Sequence, residues 1–400
     1  MNLSEPIAAL EIGTTQTVIA IGEPLSGGRV KVAALSSIPS AGVRKSQITD
    51  IPQARYSIES VLKHLYDQAN YSIGQAYLAV SGPQIRTKVI KTQIPINGFV
   101  CDEDLDNVDN LSYEAGLAQD RTPIELSQIC YSLDDVDNIN SPKGMSGRAL
   151  TLRSLCIHGS TARITDARKA AHDAKLELQE DVFFAGTCAA AAVLTYQNKK
   201  DGALVIDLGG GSTSFTTWCD GKLVQAGVIG VGGDHLTNDI RVAFSVSQAQ
   251  AEHLKTTDAS AVITVEDAKA RVSVPDPMPG FTASTISRRA LNTVVNARLQ
   301  ELFAIIRQQL DDEGLLHRLN AGVVLTGGGA ALRGAVELAT SVFGCGVRVG
   351  SLLPEIEGLE KEPFPAACAV IAGLLLLAQP KDVSGNGIFA SIKNIFSRNK

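Results

Sequence analysis

The stretch IDLGGGST, residues 206–213, decides the fold of this chain. The apolar run that leads into it predicts a buried strand ending at Asp207, and the glycines predict a tight turn into a second strand at 214–219. A turn of glycine and hydroxyl residues exposes backbone N–H groups that can converge on an anion, and glycine has no Cβ to obstruct it. The stretch therefore predicts a hairpin whose tip can hold a phosphate group.

The same pattern occurs about 200 residues earlier as LEIGTT, residues 10–15, where Glu11 stands at the strand end. An internal duplication on this scale implies two similar lobes that face each other. Either glycine-rich turn alone is more often an ordinary hairpin, but two turns that each follow an acid favour a shared site that grips a polyphosphate. The predicted phosphate contacts are Gly13, Thr14, Thr15, Gln16, Gly209, Gly210, Gly211, Ser212 and Thr213.

Two further features complete the predicted nucleotide site. Glu11 and Asp207 lie beside the phosphates in this arrangement, and carboxylates fit there best if Mg²⁺ with its retained waters sits between them. A third glycine-rich segment, LTGGGA at 325–330, leads from a strand towards a helix. A base and a ribose can lie flat on its bare backbone at Gly327, Gly328, Gly329 and Ala330. The sequence contains neither a G-x-x-x-x-G-K-[ST] loop nor a G-x-G-x-x-G after a strand.

The rest of the chain alternates strand-like and helical patterns, which predicts an α/β fold. Thr165 or Asp166 is placed to cap one of the helices. Residues 84–160 interrupt the alternation and predict a small inserted α+β subdomain, and 366–378 predict a core helix too short to span a bilayer. The other predicted helices lie at 56–70, 103–119, 165–175, 184–194, 247–255 and 289–311.

Composition excludes several classes of protein. With 400 residues, 44% of them hydrophobic and 20% charged, the chain can bury more than one core and is not globally disordered. Its formal net charge of −6 argues against nucleic acid as a partner. The seven cysteines are scattered without a C-x-x-C pair, which argues against a disulfide framework or zinc site and fits a reducing compartment.

Together with the three glycine-rich turns, two longer motifs carry a resemblance to a known family. These are GGDHLTNDI at 232–240 and SQAQAEHLK at 247–255. The turns are similar to those of the actin, hexokinase and heat-shock chaperone superfamily. Over nearly its whole length, the chain resembles the bacterial cell-division protein family FtsA. The resemblance implies that the nucleotide is ATP, that it also meets Gly232, Gly233 and Asp234, and that Glu252 and Lys255 contact its ribose or base.

The resemblance also implies an architecture: an α/β, actin-like two-lobe fold made of duplicated ribonuclease H-like domains, with an α+β insertion and a C-terminal amphipathic helix. The expected first lobe comprises 1–83 and 161–200, with a last helix at 364–378 returning to it. The expected inserted subdomain is 84–160. The second lobe is expected at 201–363, with an outer subdomain at about 234–315. A linker at 379–387 and a membrane-targeting helix at 388–400 follow.

The function that the resemblance implies is cell division. Such a protein polymerises into actin-like filaments on the cytoplasmic face of the inner membrane at the division septum and tethers the FtsZ ring. The implied partners are the C-terminal peptide of FtsZ, other copies of the chain, anionic membrane lipid and other division proteins. Arg298 and Glu301 match an R-x-x-E helix pattern in the region expected to bind the FtsZ peptide, although a solvated ion pair explains them equally well.

The sequence departs from the family at the first phosphate turn, because FtsA proteins usually carry Asp where this chain has Glu11. Glutamate is one methylene longer, so it displaces a metal-bound water by about a bond length, and catalytic geometry tolerates little displacement. We therefore expect ATP binding with weak or absent hydrolysis. No pattern in the sequence nominates a general base.

The last residues predict a membrane anchor. After a Gly- and Ser-containing linker, apolar residues recur at helical spacing, with cations available for anionic headgroups. A helix this short is marginal alone in water, so one copy should bind weakly and several copies on a polymer strongly. Docking on the protein's own body or on a partner protein is the alternative. The predicted membrane contacts are Ile388, Phe389, Ile392, Lys393, Ile395, Phe396, Arg398 and Lys400.

Two other functions compete with this prediction. A pilus-assembly adaptor of the same superfamily would share the fold but would not need an amphipathic terminal helix. A sugar or acetate kinase would need a pocket acid acting as base beside a small substrate, and no sequence pattern supplies one.

Overall fold

The computed structural model of the protein describes residues 5–115, 117–276 and 283–379. The chain opens with a three-stranded meander, a small hairpin, a helix and a further strand. The bounds of these elements are β1 Ile7–Ile12, β2 Gln16–Leu25, β3 Arg29–Pro39, β4 Val43–Arg44, β5 Gln47–Ile48, α1 Ile51–Ala69 and β6 Gln75–Val80.

The inserted subdomain follows, and it is a four-stranded antiparallel sheet in the order β7-β10-β8-β9 with α2 packed on one face. Its own small core includes Val108 of the helix and Leu150 of the sheet, and neither is exposed. The bounds are β7 Arg86–Phe99, α2 Asp102–Glu114, β8 Arg121–Leu133, β9 Val136–Ile139 and β10 Ser146–Ser160.

The chain then completes the first lobe and builds the second. The remaining elements are α3 Thr161–Asp173, β11 Glu177–Phe184, α4 Ala185–Val193, α5 Tyr196–Asp201, β12 Ala203–Leu208, β13 Thr213–Cys219, β14 Lys222–Ile229, α6 Gly233–Phe244, α7 Gln248–His253, β15 Arg271–Ser273, β16 Thr285–Ser287, α8 Arg288–Asp312, β17 Gly322–Thr326, α9 Ala335–Phe343, β18 Val347–Val349, β19 Ile356–Glu357 and α10 Ala369–Leu377. A π-helical turn, Leu254–Asp258, extends α7.

The two large sheets confirm the predicted duplication. One has the order β11-β6-β1-β2-β3-β19 and the other β14-β13-β12-β17-β18. In each, three antiparallel strands form a meander, and the first strand of the meander pairs in parallel with a later strand, β6 for β1 and β17 for β12. The five-strand topology is therefore the same in both lobes, with β19 added to the first.

One large hydrophobic core fills the first lobe and continues onto one face of the second sheet, where it includes Val205, Trp218 and Val324, and a second core covers the opposite face of that sheet. The chain crosses back to the first lobe at its described end. Strand β19 pairs in parallel with β3, and α10 packs against α4 and β1. A Cβ on Gly373 of α10 would lie 1.8 Å from the carbonyl oxygen of Cys188, so this glycine lets the two helices approach closely. Both helices are almost entirely buried, because their own residues are small or aliphatic on every face.

Several local predictions were wrong. The predicted capping by Thr165 or Asp166 fails because α3 begins at Thr161, with Ser160 at the N-cap, directly after β10. The helix predicted to reach 119 ends at Glu114. Strand β11 was missed, since its charged sequence shows no clean alternation and only its parallel pairing with β6 makes it a strand.

The residues predicted as linker and membrane helix lie, apart from Gln379, outside the described residues. Among the described residues, no helix combines the length and apolar character needed to cross a bilayer.

Candidate functional site

The two glycine-rich turns have the same backbone geometry. In the first turn, the amide of Gly13 donates to the carbonyl of Gln16 at 3.0 Å, and in the second the amide of Gly209 donates to the carbonyl of Ser212 at 3.1 Å. The next residue is a fully buried threonine in both cases, Thr17 and Thr213. The internal repeat predicted from the acids and glycines therefore extends to individual hydrogen bonds.

The two turns meet each other across the cleft between the lobes. A Cβ on Gly210 would lie 1.9 Å from Oγ1 of Thr15, and a Cβ on Gly211 would lie 2.2 Å from Oγ1 of Thr14. The second turn therefore needs glycine because the first turn approaches it closely. The structure brings the two phosphate turns together as the sequence predicted, and Gln16 is an exposed residue at the start of β2, paired with Pro39.

Two carboxyl groups lie at the strand ends behind these turns. Desolvation raises the pKa of Glu11 to about 8, and the negative charge of Asp207 adds to the shift. Desolvation also raises the pKa of Asp207 to about 6, opposed by a hydrogen bond of 3.2 Å that the hydroxyl of Thr326 donates. Each acid would ionise more readily beside a cation.

This donor set fits Mg²⁺. Two carboxyl groups close enough to interact electrostatically supply hard oxygen ligands once ionised, and Mg²⁺ commonly takes one or two carboxylates and keeps several waters. No group of three or more His, Cys, Asp or Glu side chains within the described residues is arranged to hold a metal. Glu11 and Asp207 thus suit a cation that is completed by water and phosphate oxygens.

The amino end of α6 supports the second turn. The amides of Gly233 and Asp234 donate to the carbonyls of Gly209 and Gly210 at 2.9 and 2.8 Å. A Cβ on Gly232 would lie 2.5 Å from the Gly209 carbonyl oxygen and 2.6 Å from that of Gly210. The GGD motif therefore packs backbone on backbone, which only glycine permits.

Glu252 and Lys255 form one cluster beneath this helix end. The Lys255 ammonium lies 2.7 Å from Oε2 of Glu252, 2.9 Å from Oγ1 of Thr237 and 3.3 Å from the carbonyl of Gly233. The hydroxyl of Thr237 donates to Glu252 at 2.6 Å. The structure thus brings both predicted ribose or base contacts to the GGD segment.

The third glycine-rich segment crosses the end of β12. A Cβ on Gly327, whose φ is +77°, would lie 2.6 Å from the Leu208 carbonyl oxygen and 2.7 Å from Oδ1 of Asp207. A Cβ on Gly328 would meet nothing within 4 Å. A short 3₁₀ turn, Gly328–Ala331, stands where a helix was expected directly. The segment therefore packs tightly at Gly327 and presents bare, open backbone at Gly328.

Arg298 and Glu301 lie elsewhere, on α8. Arg298 donates from Nε to Asp239 of α6 at 2.7 Å and from Nη1 to Glu301 at 2.6 Å. Its side chain is 29% exposed, compared with 59% for Glu301. The two residues thus form a surface ion pair that also joins α8 to α6.

Sequence reasoning missed the short turn between β4 and β5. Lys45 and Ser46 form this turn, and Ser46 contacts both phosphate turns. Lys45 lines a cavity of about 790 Å³ between the lobes, together with Thr14, Gly211 and Asp234. Neither a glycine nor a repeat marks this turn in the sequence. The only local signal is an apolar residue on each side of it, Val43 and Ile48.

The duplicated sheets and the opposed turns define an actin-like protein. The chain is similar to a solved structure of the PilM-PilN type IV pilus biogenesis complex, with a TM-score of 0.65, 16% identity, and coverage of 94% of this chain and 99% of that one. It is also similar to MreB5 of Spiroplasma citri bound to ADP, with a TM-score of 0.52, 15% identity, and coverage of 94% and 96%. At these identities the likeness concerns the fold alone.

Sequence comparison specifies the family. The family model described as cell division protein FtsA matches residues 204–370, and that of the SHS2 domain inserted in FtsA matches residues 82–158. The chain belongs to the FtsA family of cell-division proteins. It is 28% identical over 387 residues to the cell division protein FtsA of Pseudomonas aeruginosa, covering 96% of this chain and 92% of that relative.

Proposed function

We propose that this protein binds Mg²⁺ and ATP between its lobes, polymerises on the cytoplasmic face of the inner membrane and tethers the FtsZ ring to it at the septum. The observation that carries the nucleotide part is the meeting of two equivalent glycine-rich turns in front of two carboxyl groups. Membership of the FtsA family supports the role in division. The ADP bound to MreB5 of Spiroplasma citri supports an adenine nucleotide.

The proposed phosphate contacts are the backbone amides and hydroxyls of the two turns. Gly210 and Gly211 and the hydroxyls of Thr14, Thr15 and Ser212 lie where the two lobes meet. Because Thr14 and Thr15 touch the glycines opposite, the turns must move apart by about the width of a phosphate to admit one. Nucleotide entry therefore requires the lobes to open.

Asp207 is the residue with which to test the nucleotide proposal. Asp207→Asn removes one carboxylate from the Mg²⁺ position while keeping the shape of the side chain. We expect at least about tenfold weaker binding of ATP with Mg²⁺ and little change without Mg²⁺, measured by calorimetric titration. Asp67→Asn on the exposed face of α1 removes the same charge far from the turns and is the control. Equal Mg²⁺ dependence in both variants would contradict the proposed metal position.

The proposed base and ribose contacts are Gly328, Glu252 and Lys255. Gly328→Ala adds a methyl group that meets no atom within 4 Å in the protein. We therefore expect the free energy of unfolding to change by less than about 0.5 kcal/mol while the Kd for ATP rises roughly tenfold. Thermal unfolding and titration of the same variant separate the two effects. Unchanged affinity would place the base elsewhere.

The membrane part of the proposal concerns the terminal residues and rests on their apolar helical spacing. Its test is sedimentation with vesicles of phosphatidylethanolamine and phosphatidylglycerol, comparing the full chain with a chain ending at residue 387, with and without ATP. We expect pelleting of the full chain alone, strengthened by ATP if polymers provide avidity. Ile392→Glu interrupts the apolar stripe at one position and should reduce pelleting similarly. Pelleting that does not depend on the tail would refute the anchor.

The FtsZ part concerns Arg298 and Glu301 on α8. A labelled peptide from the FtsZ C-terminus should bind Arg298→Ala at least several-fold more weakly than the unaltered protein, in an anisotropy titration. Arg307→Ala removes an equivalent exposed charge from the same helix and serves as control. Asp239→Ala breaks the ion pair but keeps Arg298, so it separates loss of the arginine from loosening of α6 against α8.

A further inference from the structure

The turn between β4 and β5 has an unusual backbone. Lys45 and Ser46 are consecutive residues with φ of +48° and +56°, a left-handed conformation that side chains other than glycine, asparagine and aspartate rarely adopt. The turn packs on Gly82, where a Cβ would lie 2.9 Å from the Lys45 carbonyl oxygen and 3.1 Å from that of Ser46. The surroundings thus hold the turn in a conformation that its own sequence does not favour.

Ser46 connects this turn to both phosphate turns. Its amide donates to Oγ1 of Thr14 in the first turn at 2.7 Å, and its hydroxyl lies 3.0 Å from the hydroxyl of Ser212 in the second. Ser212 in turn lies 3.4 Å from the hydroxyl of Ser81, which lies 2.8 Å from that of Ser214. The β4–β5 turn is therefore hydrogen-bonded to both lobes at the point where they meet.

The ammonium group of Lys45 places a positive charge near the point where the two lobes meet. The Cα of Lys45 would lie 2.8 Å from a Cβ on Gly211, and its side chain lines the cavity between the lobes. The ammonium forms no ion pair with any of the described residues. Asp234 and His235 border the cavity opposite, and Arg44 adjoins it.

We propose that Lys45 binds the terminal phosphate of a nucleoside triphosphate and so makes the site prefer a triphosphate to a diphosphate. This inference rests on the proposed nucleotide site. A phosphate chain held between the turns at Thr14 and Gly211 runs towards the β4–β5 turn, and Lys45 is the ammonium placed at that turn. A diphosphate ends one phosphate short of this position.

The contacts of Ser46 couple binding of a terminal phosphate to closure of the lobes. Separating the turns breaks the Ser46–Ser212 hydrogen bond, because the two serines belong to different lobes. A terminal phosphate between them offers acceptor oxygens to both hydroxyls and to Lys45, so the contact is restored through the phosphate. The triphosphate therefore favours a closed arrangement that the diphosphate supports less.

The test is the ratio of the Kd values for ADP and ATP, measured with Mg²⁺ by calorimetric titration. Lys45→Ala should weaken ATP binding about tenfold and leave ADP binding within about twofold, so the ratio falls about tenfold. Lys45→Arg keeps the charge and should retain most of the preference. Lys63→Ala removes an exposed lysine on α1 and should change neither affinity. Since the Lys45 side chain is exposed, thermal unfolding of Lys45→Ala should match that of the unaltered protein.

Arg44→Ala tests whether general electrostatics explains the effect. Because Arg44 also lines the cavity, its loss should weaken both nucleotides by the same small factor and leave the ratio unchanged. An unchanged ratio in Lys45→Ala, or an equal loss for both nucleotides, overturns this inference alone. Failure of the unaltered protein to bind either nucleotide overturns the proposed function and this inference with it.

Discussion

The two phosphate turns share their hydrogen bonds but differ in what surrounds them. The second turn is backed by α6, whose first amides donate to the carbonyls of Gly209 and Gly210, and by Gly232 packed on the same atoms. Within the described part of the chain, no helix amide donates to the carbonyls of the corresponding first-turn residues, Gly13 and Thr14. Thr14 and Thr15 of that turn are held by the amides of Ser46 and Ser40, at 2.7 and 3.0 Å.

This difference indicates that the two turns of the duplicated site differ in rigidity. Backbone packed on backbone cannot yield without breaking several hydrogen bonds, so the second turn is a fixed support. The first turn is held by only one backbone contact, from Ser40, and one contact to a hydroxyl, from Ser46 to Thr14, so it can move more easily when phosphate enters.

Gly232→Ala should be the most damaging change. The added methyl would meet two backbone oxygens at 2.5 and 2.6 Å, and neither can withdraw without disturbing the second turn. We expect a loss of about 3 kcal/mol in the free energy of unfolding, measured with urea, and no detectable ATP binding. Gly230→Ala is the matched control, since its Cβ would make only an ordinary contact with Pro83 at 3.6 Å. Similar stability of the two variants would show that the second turn is not fixed.

Equivalent alanine substitutions in the two turns test the comparison directly. A Cβ on Gly209 would lie 2.8 Å from the Ser212 carbonyl oxygen, and one on Gly13 would lie 2.7 Å from that of Gln16. Although the clashes match, we expect Gly209→Ala to cost about 2 kcal/mol and Gly13→Ala about 1 kcal/mol, because only the first turn can relax. Urea unfolding of both variants measures the difference, and equal costs would contradict the proposed division.

The carboxyl pair predicts a dependence of stability on pH without metal or nucleotide. Glu11 keeps its proton up to about pH 8 in the folded protein, but in the unfolded chain it releases the proton near its ordinary pKa of 4.5. Between these values the unfolded state binds fewer protons, so the free energy of unfolding falls as pH rises. The fall should be on the order of 1 kcal/mol, because water and relaxation reduce the cost of ionising a partly buried acid.

Glu11→Gln should flatten this dependence, as should saturating Mg²⁺ with nucleotide, which supplies a cation to the ionised pair. Urea unfolding at several pH values measures both effects. A slope that Glu11→Gln leaves unchanged would assign the dependence to other groups, such as the buried Glu125, whose pKa desolvation raises to about 7.

The smallest difference concerns the equivalent threonines that follow the turns. The hydroxyl of Thr213 donates to the carbonyl of Val231 at 2.8 Å, while that of Thr17 lies 2.8 Å from the hydroxyl of Ser40. Thr213→Val should cost about 1 kcal/mol, and Thr17→Val about 0.5 kcal/mol because the freed Ser40 hydroxyl can turn to water. Thermal unfolding of the pair checks the order, and a larger loss for Thr17→Val would reverse it.

Much of the fold was accessible from the sequence because its signals are local. Acids at strand ends, glycine-rich turns and the break in pattern at 84–160 each occupy a few neighbouring residues. The predicted duplication followed from comparing two such segments, and the sheets confirm it. Strand β11 was missed for the converse reason, since its pairing partner β6 and not its own sequence makes it a strand.

For the candidate site, too, local features could be predicted and contacts between distant segments could not. Sequence alone determined which segments could face a phosphate, because amide exposure and the absence of Cβ are properties of the turn itself. How those segments meet depends on the packing of the whole chain. Ser46 and Ser212 are 166 positions apart and touch only because the lobes close. The raised pKa values of Glu11 and Asp207 arise from burial in the closed cleft, and the charge of Asp207 adds to the shift of Glu11. Such effects depend on distances through space, and these are set by the packing of two cores.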